Sequence, residues 1–406
     1  MLRPVFLAFV LTVPCLVFPA FAENLSPVAE RPDWTALEKY QGTITRTDFV
    51  RLLDEVYAPR DAATGLIDVN EERASIVMRL GEDERFTLRF AKDAASAKAP
   101  PRFWREGQPL AGLRVALDPG HLGGEWARME ERWFRIGGGA PVAEGDLTLR
   151  VAELLAPQLT ALGAEVLWVR RAAEPVTPKR PADFFDMSRA FLNAQGIANP
   201  RERYASMEES GRGATVQSQA ELLFYRQAEI RHRAHVVNEE LKPDLVLCLH
   251  FNADAWGDPR HPALVANNHF HVLVNGCYAA GELRLDDNRF EMLERLLGGI
   301  TGEEHRVSTI VAQHMARALA LPPYIYTRDI AKRVNASPYV WARNLLANRL
   351  YRCPVVFLEP YVMNSHETWE RVQAGDYEGV RVVAGSARKS LVREYADAIA
   401  EAMAKR

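Results

Sequence analysis

The sequence predicts an α/β fold with a mostly parallel central sheet flanked by helices, preceded by a small N-terminal α+β domain. Three observations support this prediction. From residue 113 onward, short apolar runs alternate with segments of helical periodicity, which is the rhythm of strand–helix–strand units. Residues 34–98 instead contain one capped helical stretch followed by two strand-like runs. An Ala- and Pro-rich stretch at residues 94–101 separates the two regions.

The N-terminal region is predicted to contain an extended segment, a helix and two strands. Residues 24–33 are polar and contain prolines, which favours an extended segment. Residues 47–53 begin with a capping threonine and continue with helical periodicity. Residues 74–80 and 86–90 indicate strands, and the second alternates clearly between apolar and polar side chains. We therefore divide the chain into residues 1–22, a domain at 23–98, a linker at 99–111 and a larger domain at 112–406.

The larger region contains five predicted strands and four predicted helices. Gly163 marks the end of the first helix, and Pro157 within it predicts a kink. Residues 171–220 are polar without a strong period, and residues 281–305 are acidic and irregular, so no element is predicted in either segment. The predicted strands are 113–117, 164–169, 245–249, 269–274 and 354–358. The predicted helices are 146–162, 220–241, 307–320 and 386–405.

Composition and the first residues limit the class of protein. With 406 residues, 48% hydrophobic, 25% charged and a net charge of −3, the chain is typical of globular proteins and lacks the basic surplus of a nucleic-acid binder. Arg3, an apolar run at 5–18 and Ala20-Phe21-Ala22 predict a cleaved signal peptide at 1–22. An exported, periplasmic or extracellular protein is expected, with no transmembrane segment after cleavage. An uncleaved N-terminal anchor is the alternative.

Cysteine usage predicts neither a disulfide framework nor a cysteine-bound metal. Three cysteines remain after the predicted signal, namely Cys248, Cys277 and Cys353, and an odd number cannot pair completely within one chain. Two of them lie in or beside apolar runs, which favours buried free thiols.

Three predicted strands run directly into polar residues that can bind a metal or move a proton. The strand at 113–117 leads to His121, that at 245–249 to His250, and that at 354–358 to Glu359. Ligand sites of open α/β sheets form beyond the carboxyl ends of the strands, so we expect these side chains to meet. Two imidazoles with carboxylates would suit zinc. Each residue alone is more typical of a turn or loop, and only their concurrence indicates a site.

At these residues the chain resembles the zinc-dependent N-acetylmuramoyl-L-alanine amidases. The resemblance consists of LDPGHLGG at 117–124, a glutamate opening a helix at Glu144, a strand ending in an arginine at 163–170, LHFNA at 249–253 and PVVFLE at 354–359. It covers roughly residues 112–404, with all four functional positions in order. The longer segment at 171–220 and the acidic one at 281–305 depart from the family pattern.

The resemblance implies a zinc cofactor held by His121, Glu144 and His250, with Glu359 as the catalytic carboxylate. It also implies peptidoglycan as substrate, cleavage between N-acetylmuramic acid and L-alanine, and a protein activator as a candidate partner. On sequence alone Glu144 is also explained without a metal, since an acid at a helix N-terminus is favoured by the helix dipole.

Two further residues are candidates for substrate binding. Asn252 could orient the substrate or hold the His250 loop by a hydrogen bond, and Arg343 could face a stem-peptide carboxylate or lie on a solvated helix face. His269 and His271 share one face of a predicted strand and are interpreted as sheet-surface residues. Residues 303–305 are a candidate inhibitory plug, with an ordinary acidic loop as the alternative.

Two other functions remain open from the sequence. A zinc carboxypeptidase or endopeptidase acting on peptidoglycan stem peptides would need the same site chemistry. A non-catalytic cell-wall-binding protein would need neither a metal nor a base, so the presence of both histidines and both glutamates argues against it.

Overall fold

A computed structural model describes residues 24–97, 110–257 and 261–404. The predicted signal peptide and residues 99–109 of the predicted linker lie outside the described residues, so both stay predictions. Within the described ranges, none of the helices combines the length and apolar character needed to span a bilayer. The described cysteines are all buried free thiols, as the sequence predicts.

The described N-terminal region contains a 3-10 helix (Trp34–Tyr40), one short α-helix followed by a π-helical turn (Leu53–Tyr57), and a three-stranded antiparallel sheet. Helix α1 (Arg46–Leu52) begins after Thr45, whose side chain accepts a hydrogen bond from the Asp48 N–H. Its sheet consists of β1 (Ile67–Val69), β2 (Arg73–Val77) and β3 (Arg85–Arg89). The predicted helix and both predicted strands are confirmed here. Strand β1 was missed because three residues are too short to show a period.

A seven-stranded mixed sheet forms the centre of the molecule, with the order β10-β11-β9-β12-β8-β4-β7. Strands β7, β4, β8 and β12 are parallel, whereas β9 runs antiparallel to β12. The predicted α/β class with a mostly parallel central sheet is confirmed. The strands of this region are β4 (Arg114–Pro119), β5 (Trp133–Phe134), β6 (Val142–Ala143), β7 (Glu165–Trp168), β8 (Leu245–Leu249), β9 (Phe270–Val274), β10 (Lys332–Arg333), β11 (Val340–Ala342), β12 (Val355–Pro360), β13 (Arg381–Val383) and β14 (Ser386–Arg388).

Helices cover the sheet. The predicted helices at 146–162 and 307–320 are confirmed, whereas the predicted helix at 386–405 begins only at Leu391, because residues 386–388 form the strand β14. Pro157 lies inside the first long helix, which nevertheless continues to Ala161. The predicted helix at 220–241 is built from two α-helices joined and extended by π-helical turns. The helices are α2 (Trp126–Met129), α3 (Glu144–Ala161), α4 (Phe185–Ala194), α5 (Val216–Leu223), α6 (Glu229–His235), α7 (Ala280–Leu283), α8 (Asp286–Leu297), α9 (Thr301–Leu319), α10 (Leu346–Leu350), α11 (His366–Gln373) and α12 (Leu391–Ala404).

The two faces of the central sheet bury different clusters. One face packs beneath α3, α9 and α12 in the largest hydrophobic cluster of the molecule. The other carries Cys248, Leu273 and Phe357 in a smaller cluster with residues of α6. Because side chains alternate along a strand, His250, His271 and Glu359 belong to this second face. These three candidate or neighbouring side chains therefore lie on the face of the sheet that carries the smaller hydrophobic cluster.

The segment 281–305 is helical, which corrects the prediction of an irregular acidic stretch. Several of its charged side chains are buried and paired rather than solvated. Asp287, which is 1% exposed, accepts a hydrogen bond from the Ser26 N–H and pairs with Arg231. The apolar side of α8, including Met292 and Leu293, shares one hydrophobic cluster with the N-terminal elements. This segment thus completes the N-terminal core.

Candidate metal centre

His121 follows the carboxyl end of β4 and has a left-handed backbone, with φ of 59°. The Gly120 N–H still donates to the Leu249 carbonyl of β8, so the chain leaves the sheet only at His121. A Cβ at Gly120 would lie 2.2 Å from the His250 ring. The absence of a side chain at position 120 is what allows the two histidines to approach.

Three ligand atoms converge at this edge of the sheet. His121 Nε2 lies 3.4 Å and His250 Nδ1 lies 3.2 Å from the same oxygen, Glu144 Oε1. The ligand atoms of the three residues all lie within 4.8 Å of one another. The two imidazole rings are nearly perpendicular, with 4.9 Å between their centroids. The structure thus brings together the three residues that the sequence singled out as ligands.

Glu144 is the first residue of α3 and is only 1% exposed. Its Oε1 accepts a hydrogen bond of 3.0 Å from the Phe251 N–H, which orients the carboxylate. Its Oε2 is buried without a hydrogen-bond partner, and the Arg132 Nε lies 3.9 Å away. Burial opposes ionisation of Glu144, but His121, a hydrogen bond from His250 and the Arg132 charge outweigh it, so the pKa lies below its usual value.

This donor set fits a zinc ion. Two ligands about 2.0–2.1 Å from a tetrahedral zinc are separated by about 3.3 Å, close to the distances from Glu144 Oε1 to the two histidines. The unpartnered, buried Glu144 Oε2 is an atom that a cation would stabilise. Three protein ligands would leave one position open, as in catalytic zinc sites.

Glu130 supports the histidine that follows β4, and sequence reasoning missed it. Its Oε1 accepts a 2.8 Å hydrogen bond from His121 Nδ1, and its Oε2 accepts a 2.7 Å bond from the Leu122 N–H. A proton held on Nδ1 leaves the Nε2 lone pair of His121 facing Glu144. Burial lowers the pKa of His121 well below its usual value, which keeps this ring neutral. No motif marks Glu130, which lies nine residues further along in a loop.

Glu359 lies at the end of β12 on the same face of the sheet as His250. Burial, and then the negative charge of Glu144, raise the pKa of Glu359 well above its usual range, while Arg132 and Arg343 oppose this rise. Beside it, the Phe357 ring stacks on the His250 ring at 4.3 Å. A partly buried carboxyl group with a raised pKa therefore stands beside the three ligands.

Two buried arginines hold the loop that carries His121. Arg233 donates to the carbonyls of Pro119 and His121 at 2.9 and 3.1 Å, and Arg170 donates to those of Pro119 and Gly120 at 3.1 and 3.3 Å. Arg233 is also paired with Asp118 and Glu229. These bonds satisfy carbonyl groups that leave the sheet ladder, so the turn can be buried.

Asn252 and Arg343 lie beside Glu359 rather than at the ligand cluster. The Asn252 side chain contacts His271, which stands directly opposite Glu359 across β9 and β12. Arg343 follows β11, and its guanidinium donates to the Tyr326 hydroxyl at 3.3 Å. Arg349, by contrast, is buried and paired with Glu291, so it does not face a substrate.

Glu304, the central residue of the candidate plug, lies at the opposite edge of the central sheet. It accepts hydrogen bonds from the N–H groups of Val355 and Asn275 and pairs with Arg295. Val355 begins β12, whereas Glu359 stands near its end. Glu304 therefore anchors the strand and does not reach the candidate metal centre.

Comparisons with known proteins find similarity among solved structures only. Neither a protein-family model nor a curated protein matches the chain. Ami1 of Mycobacterium smegmatis, an N-acetylmuramyl-L-alanine amidase, is similar at 17% identity with a TM-score of 0.39, over 73% of this chain and 97% of that one. AmiC2 of Nostoc punctiforme, an N-acetylmuramoyl-L-alanine amidase, is similar at 14% identity with a TM-score of 0.36, over 72% and 96%. The catalytic domain of CwlV, an N-acetylmuramoyl-L-alanine amidase from Bacillus (Paenibacillus) polymyxa var. colistinus, is similar at 13% identity with a TM-score of 0.37, over 71% and 95%. At such low scores and identities, only the residues of this chain can support a function.

Proposed function

We propose that this chain is a zinc-dependent N-acetylmuramoyl-L-alanine amidase that hydrolyses the bond between N-acetylmuramic acid and L-alanine in peptidoglycan. The observation that carries the proposal is the convergence of His121, Glu144 and His250 within 4.8 Å, beside the carboxyl group of Glu359. The sequence resemblance to this amidase family supplies the substrate. Export to the periplasm or exterior, and a protein activator, remain predictions that go with it.

The protein groups have distinct roles in this proposal. Zinc, when bound, supplies a Lewis acid that polarises a carbonyl and acidifies water. His121, Glu144 and His250 hold the ion, and Glu130 keeps the His121 proton on Nδ1. Glu359 accepts a proton from the attacking water and returns it to the departing amine. The raised pKa of Glu359 suits a group that must take up and release a proton near neutral pH.

Glu359→Gln tests the catalytic role. The variant keeps the shape of the side chain but cannot take a proton, so hydrolysis of purified wall fragments should fall about 10²- to 10⁴-fold. Bound zinc should stay stoichiometric with protein, as measured by metal analysis. Glu370→Gln, an exposed change on α11, is the matched control and should keep full activity. Undiminished hydrolysis by the Glu359 variant would remove this residue from its role.

Mass spectrometry of the products separates the remaining functions. An intact stem peptide with a free L-alanine amino group supports the amidase, and a shortened stem peptide supports a carboxypeptidase or endopeptidase. The absence of both stoichiometric zinc and product would favour a non-catalytic wall-binding protein. A chelator should abolish cleavage, and added zinc should restore it.

A further inference from the structure

A cluster of aromatic and polar side chains borders Glu359 and is used by none of the roles above. The rings of His269 and His271 pack against Tyr324, with centroids 4.6 and 5.0 Å apart. The Tyr324 and Tyr326 rings meet edge to face at 4.7 Å. His271 stands opposite Glu359 in the sheet register, so this cluster continues directly from the catalytic carboxyl group.

The direction of each hydrogen bond in the cluster can be traced from the backbone. Asn252 Oδ1 accepts from the Ala253 N–H at 3.0 Å, so its amide nitrogen must face the histidines. That nitrogen lies 3.3 Å from His271 Nδ1 and 3.5 Å from His269 Nδ1, and it donates to both. Each neutral ring therefore carries its proton on Nε2.

Two neighbouring donors set the orientation of the Tyr326 hydroxyl group. Its oxygen accepts from His271 Nε2 at 3.2 Å and from Arg343 Nη1 at 3.3 Å. With two donors on the oxygen, the phenolic hydrogen is left to donate outward. Burial raises the pKa of Tyr326 to about 12, so the phenol keeps this hydrogen at neutral pH.

Several donors in the cluster have no acceptor within the described ranges. His269 Nε2 is buried without a partner on a residue that is 6% exposed. The Trp341 indole nitrogen, on the ring that packs against Tyr326, is likewise unpartnered. Among the described residues, no carboxylate lies within ion-pair distance of the Arg343 guanidinium, which remains partly exposed.

Two acidic side chains that are not part of the cluster interact electrostatically with its rings. Asp254 lies near His269 and Tyr324 and accepts a hydrogen bond from Asn267. Glu359 acts on Tyr326 and is assigned to the reaction. No hydrogen bond joins either acid to Tyr326 or Arg343 in the described part of the chain, so the side formed by these two residues offers donors only.

We propose that Tyr326 and Arg343, oriented through His271 and Asn252, form a subsite for a carboxylate of the peptide substrate. An acceptor-only anion matches a surface of outward N–H and O–H donors and would form charge-assisted hydrogen bonds with it. The neighbouring Tyr324 ring offers an apolar surface to the adjoining peptide. This inference rests on the proposed function, because the peptide it receives is the stem of that substrate.

Binding of inert fragments tests the subsite separately from turnover. The probes are N-acetylmuramoyl-L-alanyl-D-glutamate, in which the alanine carboxyl is in a peptide bond as it is in a stem peptide, and the amide of its α-carboxyl group, titrated calorimetrically into zinc-loaded Glu359→Gln protein. The acid should bind at least about tenfold more tightly than the amide, because hydrogen bonds to a charged group are the stronger ones. Equal binding of the two probes, or binding of neither, would overturn the proposal. Failure of the proposed amidase activity would instead show as absent cleavage with this preference intact.

Variants locate the preference. Adding Arg343→Gln should reduce the ratio of acid to amide affinity to about one, and adding Tyr326→Phe should reduce it in part. Arg284→Gln, an exposed arginine beyond α7, is the matched control and should leave it unchanged. If the ratio of acid to amide affinity is unchanged by Arg343→Gln, the carboxylate does not bind at Arg343, and the proposal is wrong.

The proton positions in the cluster can be measured directly by NMR spectroscopy. The ¹⁵N chemical shifts of His271 should show a protonated Nε2 and an unprotonated Nδ1, and Asn252→Asp should disturb this tautomer. If His271 is protonated on Nδ1 instead, it cannot donate from Nε2 to Tyr326, and the phenolic hydrogen is no longer left for a ligand. That result would contradict the proposal.

Discussion

At the scale of single residues, the centre depends on how the imidazole of His121 is held. Glu130 bonds both to His121 Nδ1 and to the Leu122 N–H, so one carboxylate fixes the ring and the backbone beside it. Partners of this kind set the tautomer and the basicity of a ligating histidine. The metal affinity of the site should therefore depend on a residue that touches no metal.

Replacing Glu130 should weaken zinc binding while leaving the ligands in place. We expect the zinc dissociation constant to rise about 10-fold for Glu130→Gln and about 100-fold for Glu130→Ala, measured by competition with a chromophoric chelator. Glu125→Gln, an exposed change at the opposite end of α2, should leave the constant unaltered. Wild-type affinity in both Glu130 variants would contradict the role given to this carboxylate.

At the scale of elements, the site is built where β4, β8 and β12 end together. Where the chain leaves β4, its carbonyl groups no longer bond to a neighbouring strand. Arg170 and Arg233 donate hydrogen bonds to these carbonyl oxygens instead. The two arginines differ in their other partners. Arg233 also pairs with Asp118 and Glu229, whereas burial lowers the pKa of Arg170 to about 10 and its hydrogen bonds go chiefly to carbonyls.

This difference predicts unequal costs of removing the two guanidinium groups. Arg233→Met would leave two buried carboxylates without their cation and should lower the free energy of unfolding by about 3–5 kcal/mol. Arg170→Met would leave only carbonyls unsatisfied and should cost about 1–3 kcal/mol. Urea denaturation of the metal-free proteins measures both values. A larger loss of unfolding free energy in the Arg170 variant than in the Arg233 variant would contradict this prediction.

The strand ends were predictable from sequence, and the supports behind them were not. Apolar runs that stop at His121, His250 and Glu359 predict that these residues lie at the same edge of the sheet, because neighbouring parallel strands have their carboxyl ends on one side. Glu144 needed the family resemblance, since an acid at a helix start has another explanation. Segment 281–305 was misinterpreted because several of its charges are paired with residues far away in sequence: Asp287 pairs with Arg231, and Glu291 pairs with Arg349. Pairing across distant segments leaves no local pattern.

At the scale of the whole molecule, the N-terminal elements and α8 share one core. Leu37 and Leu293 are both fully buried in that cluster, although they are far apart in sequence. The junction between α8 and α9 also carries Arg295 and Glu304, which anchor the start of β12. The N-terminal core is therefore connected to the strand that ends at Glu359.

Cooperative unfolding should follow from this connection. Leu37→Ala, Leu293→Ala and Leu155→Ala, the last in the core beneath α3, each create a cavity and should cost about 2–5 kcal/mol. We expect all three to shift one common transition, followed by circular dichroism and by tryptophan fluorescence during denaturation. Two separate transitions, with Leu37→Ala and Leu293→Ala affecting only one of them, would show that residues 23–98 and α8 fold independently of the rest.

The backbone at His121 limits which ligand chemistries this corner of the sheet can adopt. A φ of 59° is costly for most side chains, and His, Asn and Asp tolerate it better than others. Of these three, histidine and aspartate are good zinc ligands, whereas cysteine and glutamate bring no such torsional advantage. The backbone torsion and the coordination chemistry of zinc thus favour the same few amino acids. We therefore expect that only histidine or aspartate at position 121 would combine this backbone conformation with zinc binding.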